Sequence, residues 1–261
     1  MGRTVIVGDV HGCRDELEEL LAKAKWVEGA DRLFFVGDLV ARGPDSLGVL
    51  ALVERLGGRA VRGNHEHKLL RIRDGSSPGL WFGAPAPNRS RGRRGRGLAS
   101  PSGHEGEHEQ LASLLSRDDW SLLEQMPLWV DLFEHGVRIV HAGVVPGQAI
   151  EQTPPEALLT IRAIDASGRW SNEKDGRPLW GEPYLGPPHV VFGHNALAEP
   201  QLHPWATGID TGCVYGGRLT ALVLDEREPM PRGVDAAVRL TSVPARRCYY
   251  GGRHVPGSAG A

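Results

Sequence analysis

Five short stretches hold the side chains best able to do chemistry: Gly8-Asp9-Val10-His11-Gly12, Gly37-Asp38, Gly63-Asn64-His65-Glu66, His141-Ala142-Gly143 and Gly193-His194. Their donors are the oxygens of Asp9, Asp38 and Asn64 and the imidazoles of His11, His141 and His194, with no thiolate among them. Oxygen plus imidazole suits Mn2+, Fe2+, Co2+ or Zn2+ rather than a soft metal. Asp9 and His11 are two residues apart, so on extended backbone both side chains point the same way and can chelate one ion. Six donors exceed what one open catalytic ion needs. They suit two ions, roughly 3.5–4 Å apart and bridged by a carboxylate. The flanking glycines let the backbone turn away sharply and leave room for ions and substrate. Any one of these residues alone reads as a cap or a satisfied polar group; five clusters, each at the end of a predicted strand, do not.

Those strands follow from short apolar runs that stop at the polar clusters. Thr4–Val7, Arg32–Val36 and Arg59–Arg62 read as strands. Asp15–Lys25 and Asp45–Leu56 read as the helices between them, the second ended by Gly57-Gly58. A helix through Arg73 follows the third strand. Strand alternating with helix at this pace predicts parallel β-α-β units, whose strand ends form a ligand crevice. From Gly75 to Gly106 the periodicity is lost, and Asn88–Gly97 packs five arginines into ten residues, which reads as a solvated surface loop. Helices are expected again at Glu107–Leu115 and Asp118–Gln125, the latter capped by Asp118, and a weak one at Pro154–Ile164. Later strands are expected at Leu128–Phe133, Val137–Val140, His189–Phe192, Ala206–Ile209 and Leu219–Leu224. The organisation expected is one domain over residues 1–261, with an insert or cap at about 74–127 and a basic, Gly-rich tail at about 226–261.

Composition narrows the class. Lys plus Arg is 30 against 32 Asp plus Glu, so no global basic charge draws the chain into a stable nucleic-acid complex. No apolar run approaches the roughly 18 residues a bilayer span needs. An apolar strand begins almost at once with no signal-peptide pattern before it, so a cytoplasmic location is expected. The three cysteines look too few and too scattered for a disulfide framework or a thiolate zinc site, and Cys13 and Cys213 read as small packing residues. His104, His108, His135, His189 and His203 lack the Gly-flanked setting and read as surface or structural. Trp81, Trp170 and Trp180 read as packing residues, and Glu66 as support for its loop rather than a ligand.

The clusters resemble the calcineurin-like metallophosphoesterases. Gly8–Gly12 (GDVHG), Gly37–Pro44 (GDLVARGP), Gly63–Glu66 (GNHE), His141–Gly143 (HAG) and Gly193-His194 stand in that family's order and at its intervals. Within it, GDLVARGP and the late Ile209–Gly217 stretch (IDTGCVYGG) are similar to the bacterial symmetrical bis(5'-nucleosyl)-tetraphosphatases. Glu66 matches the protein phosphatases instead, which usually also carry an Asp where this chain has Ala41. The resemblance implies a four-layer α/β/β/α sandwich of two mixed sheets. It implies Asp9, His11 and Asp38 on one divalent ion and Asp38, Asn64, His141 and His194 on a second. Manganese is the expected occupant, with iron, cobalt or zinc as alternatives. His65 becomes the general acid, Arg42 and Arg162 clamp phosphate, and Asp210 and Tyr215 join the substrate site. The implied reaction is hydrolysis of a dinucleoside polyphosphate, with diadenosine tetraphosphate cut to two ADP. A phosphoprotein or the capped 5' end of an RNA is the alternative partner, and a non-catalytic nucleotide sensor is the alternative of another class.

Overall fold

The structure is a computed structural model that describes residues 2–76, 106–173 and 176–251. The Arg-rich stretch, Trp81 and His104 lie outside the described residues.

Three strands, β1 (Thr4–Val7), β2 (Arg32–Phe35) and β3 (Arg59–Ala60), run parallel in one sheet. Helices α1 (Arg14–Lys23) and α2 (Ser46–Arg55) cross between them. Asp45 opens α2, its Oδ1 accepting the Gly48 N–H at 2.8 Å. Helix α3 (Asn64–Arg73) follows β3, and α4 (Glu107–Leu114) and α5 (Arg117–Gln125) come after it in the chain. The cap of α5 is Ser116 rather than Asp118. Ser116 Oγ accepts the Asp119 N–H at 3.1 Å while the Asp119 carboxylate accepts the Ser116 N–H at 2.8 Å, a reciprocal box that satisfies two end donors at once.

A second sheet takes β4 (Trp129–Leu132), β5 (Val137–Val140), β8 (His189–Phe192), β9 (Gln201–Leu202) and β10 (Ala206–Gly208) in the order β4-β5-β8-β10-β9. Its centre is parallel and its edges antiparallel. Between β5 and β8 lie α6 (Pro155–Thr160) and a two-stranded ribbon of β6 (Ala163–Ile164) and β7 (Trp170–Ser171). The expected helix at 154–164 is therefore shorter, and its last residues are strand. The chain then returns to the first sheet as β11 (Arg218–Leu224), antiparallel to β1, with β12 (Leu240–Pro244) outside it. That edge strand falls in the expected tail.

Period-two alternation on the strands builds three apolar layers. Val5, Val7, Leu33 and Phe35 face the helix side with Leu17, Leu50 and Leu69. Ile6 and Phe34 face the opposite way, against Ile139, Val191 and Leu222 between the two sheets. Val190 and Phe192 look outward from the second sheet onto Leu158, Ile161 and the fully buried Trp180. Two mixed sheets with helices outside each make the four-layer sandwich. Two buried histidines are structural. His135 Nε2 lies 2.9 Å from Thr4 Oγ1, and His189 Nε2 lies 2.9 Å from Thr207 Oγ1.

Candidate active site

The polar clusters occupy the loops that leave β1, β2, β3, β5 and β8, and the loop after β10 adds Asp210. Asp38 is at the centre. Its Oδ2 lies 3.6 Å from His11 Nε2 and 3.4 Å from His141 Nε2, and its Oδ1 accepts the His65 N–H at 3.0 Å. Two tight donor groups share it, one with His11 and His65 and one with His141 and His194, the donor atoms of each lying within 4.8 Å of one another. Asn64 Oδ1 sits 3.0 Å from His141 Nε2 and 2.9 Å from His194 Nδ1, in the second group. Asp9 falls outside both tight groups. Its carboxylate accepts the His194 N–H at 3.1–3.2 Å, and only a glycine fits beside it, because a Cβ on Gly193 would come within 1.9 Å of Asp9 Oδ1.

The backbone here is held away from its relaxed state. His11, Asp38, Ala41, Arg42 and His194 all have φ between 47° and 68°, in the left-handed region that side chains other than glycine's disfavour. Such strain persists only where surrounding contacts over-determine it. Glu66 supplies many of those contacts. It is fully buried, and its Oε2 accepts the N–H groups of Asp38 and Gly63, both at 2.9 Å. Its Oε1 accepts those of Leu39 at 2.8 Å and Val40 at 3.3 Å. A Glu66→Gln substitution turns one oxygen into a donor facing two N–H groups. At about 1–3 kcal/mol for each buried donor left without a partner, it is expected to cost roughly 2–6 kcal/mol. A thermal melt should then fall by about 5–15 °C; an unchanged midpoint would show that Glu66 does not hold this loop.

Burial drives the electrostatics. It pushes the carboxyls of Asp9, Asp38 and Asp210 up, Asp38 to about 7, and for Asp9 the neighbouring charges of Asp210 and Asp38 push further. It pushes His11, His65 and His194 well below the ordinary imidazole range and His141 to about 4. The shifts favour neutral His11, His141 and His194, the form of imidazole that ligates a cation, beside carboxylates whose charge is costly to bury. Clustered acids beside neutral imidazoles fit divalent cations.

Arg42 and Arg162 flank this centre. Arg42 Nη1 is 3.1 Å from His11 Nε2, and its guanidinium lies 5.6 Å from the centroid of the Tyr215 ring and 5.5 Å from that of Tyr250. Arg162 donates to Asn195 Oδ1 at 3.0 Å, and Asp210 accepts the Gly212 N–H at 3.0 Å.

Two residues at the site escape a reading of the sequence. Tyr250 comes from the expected tail. His108, read as surface or structural, is buried at the start of α4, with Nε2 2.9 Å from His65 Nδ1. His108 thus stands beside the imidazole expected to act as general acid. A His108→Ala variant is expected to keep its cations and lose roughly 10- to 100-fold in kcat at little change in KM, with His108→Gln recovering part of the loss. An unaltered kcat would remove His108 from the site.

The fold and these motifs define a class: the chain belongs to the calcineurin-like phosphoesterases, whose family pattern matches residues 2–206. It is a hydrolytic enzyme of that family. It is 31% identical to an asymmetrical bis(5'-nucleosyl)-tetraphosphatase PrpE from Oceanobacillus iheyensis, over 85% of this chain and 89% of that one. It is 34% identical to a symmetrical bis(5'-nucleosyl)-tetraphosphatase from Nitrosococcus oceani, over 85% and 93%. A crystal structure of a candidate diadenosine tetraphosphatase superposes with a TM-score of 0.73 at 34% identity, covering 94% of each chain. Among the described residues, no helix is long and apolar enough to cross a membrane.

Proposed function

We propose that this enzyme hydrolyses dinucleoside tetraphosphates at a two-cation centre and cuts diadenosine tetraphosphate symmetrically into two ADP. The observation that carries the reading is the pair of donor groups sharing Asp38, with Arg42 and Arg162 beside them. The names of the relatives support the substrate class. Asp9, His11 and Asp38 would hold one cation and Asp38, Asn64, His141 and His194 the other, with manganese the proposed occupant. Bound divalent ions supply an acidified water and offset phosphate charge.

The protein's own groups do the rest. Arg42 and Arg162 present planar guanidinium forks that match phosphate oxygens two at a time. Arg42 is fixed in direction by its strained backbone and by the aromatic rings beneath it. Asp210 faces Arg162 and helps keep it charged despite its burial. His65, held by the Asp38 carboxylate at its backbone and by His108 at its ring, gives a proton to the departing phosphate oxygen. Tyr215 forms a wall of the substrate site on the far side of Arg42.

Product analysis tests the reading. Diadenosine tetraphosphate incubated with the Mn2+-loaded enzyme is expected to yield ADP alone. AMP plus ATP would favour the second reading, an asymmetric cut, for which the 31% identity to the Oceanobacillus enzyme speaks. Faster turnover of a phosphopeptide than of the dinucleotide would overturn both.

A further inference from the structure

At the start of α1, three buried side chains meet that the reaction does not use. Cys13 caps α1, Glu16 lies in its first turn, and Cys213 lies in the loop after β10. Two hundred residues separate the cysteines in the chain, yet the fold brings Cys13 and Cys213 side by side. Both sulfurs and a Glu16 carboxylate oxygen lie within 4.8 Å of one another, and all three residues are buried. Glu16 is held in direction. Its Oε1 accepts the Arg246 N–H at 2.9 Å and the Tyr249 hydroxyl at 2.7 Å. Its Oε2 is buried with no hydrogen-bond partner. An oriented carboxylate with one bare oxygen, facing two thiols in an apolar surround, is an unfinished polar site.

We propose that Cys13, Cys213 and Glu16 form a separate binding site for one thiophilic divalent cation, with zinc the best match. Two thiolates and a carboxylate are a zinc donor set, unlike the oxygen and imidazole set of the catalytic centre. Binding exchanges the two thiol protons for the metal, and nothing is oxidised or reduced. The fourth position would fall to a water. A disulfide between the same cysteines fits less well. It would leave Glu16 Oε2 as bare as before.

The site has a structural role. It ties the first turn of α1, directly after His11, to the loop that carries Asp210. Through Glu16 it also reaches the segment at Arg246–Tyr249.

Cobalt reports the ligand type. The full-length protein is purified under reducing conditions, its catalytic centre filled with Mn2+, and one equivalent of Co2+ added. A thiolate-to-cobalt charge-transfer band in the near ultraviolet is expected. The band should survive Asp38→Asn, which removes the catalytic pair, and vanish in Cys13→Ser and Cys213→Ser. No band in the wild type, or a band retained in both serine variants, would overturn the site. If the serine variants do not fold, alkylation of the wild type decides. Zn2+ is then expected to slow modification of Cys13 and Cys213 at least about tenfold, while the exposed Cys248 keeps its rate. Equal rates with and without Zn2+, or a Cys13–Cys213 disulfide in the isolated protein, would also overturn it.

Discussion

An Asp38→Asn variant is expected to bind neither catalytic cation and to show almost no turnover. Asp38 belongs to both donor groups, so its loss is felt twice. The amide keeps an oxygen for the His65 N–H that Oδ1 now accepts, so the loop has no reason to unfold. The other carboxylate oxygen, however, stands 3.4–3.6 Å from ring nitrogens of His141 and His11. An NH2 in that place donates to the lone pairs that the cations need, and one negative charge is gone. Loss of a group that merely supports a ligand typically costs 10- to 100-fold in metal affinity, so loss of a shared ligand is expected to exceed about 100-fold for each ion. Elemental analysis after gel filtration checks it. Two retained ions would rule out Asp38 as the bridge.

The second large effect is expected at His65. Replacement by Asn should lower kcat by about 10²–10⁴, the usual contribution of a positioned general acid, with both cations still bound. The reason is geometric. His65 lies with His11 and Asp38 in one tight group, yet its Nδ1 is turned to His108. A ring anchored at one nitrogen leaves the other for the departing oxygen. Leaving-group dependence separates this role from ligation. A substrate whose leaving group needs no proton, such as p-nitrophenyl phosphate, should lose much less than the dinucleotide. If metal content falls together with activity, His65 is a ligand and the proton comes from elsewhere.

Much of this centre was legible in the residues because the chemistry sits where short apolar runs end. Val5–Val7 and Leu33–Phe35 each alternate between two apolar layers, and the break into Gly-Asp marks where each strand leaves the sheet. The same logic finds β3 but fails for three other two-residue strands. β6, β7 and β9 have no room for a period, and their pairing is decided by what lies beside them. β12 looked like tail because its neighbours are polar and basic, yet it pairs along five positions with β11. His108 was hidden for another reason. Its partner is 43 residues away in the chain, and nothing local to α4 records that a buried imidazole waits there. Cys13 and Cys213 pose the same problem over a greater distance. Glu66 was the favourable case: a carboxylate at the third position of a helix, three residues past its Gly63 cap, has the cap's N–H within reach whatever the rest of the fold does.

The strand order carries one more consequence. Asp9, His11, Asp38 and Asn64 leave the first sheet, whereas His141 and His194 leave the second. The two sheets meet through a greasy interface of Ile6, Phe34, Ile139 and Val191, which resists separation but says little about sliding. A cation held from both sides would pin that sliding at one point, and metal supply would then set how stiffly the two leaves of the sandwich are joined. Hydrogen exchange at the facing strands β1 and β5 should quicken when a chelator is added and slow again when Mn2+ is restored, before any substrate is present.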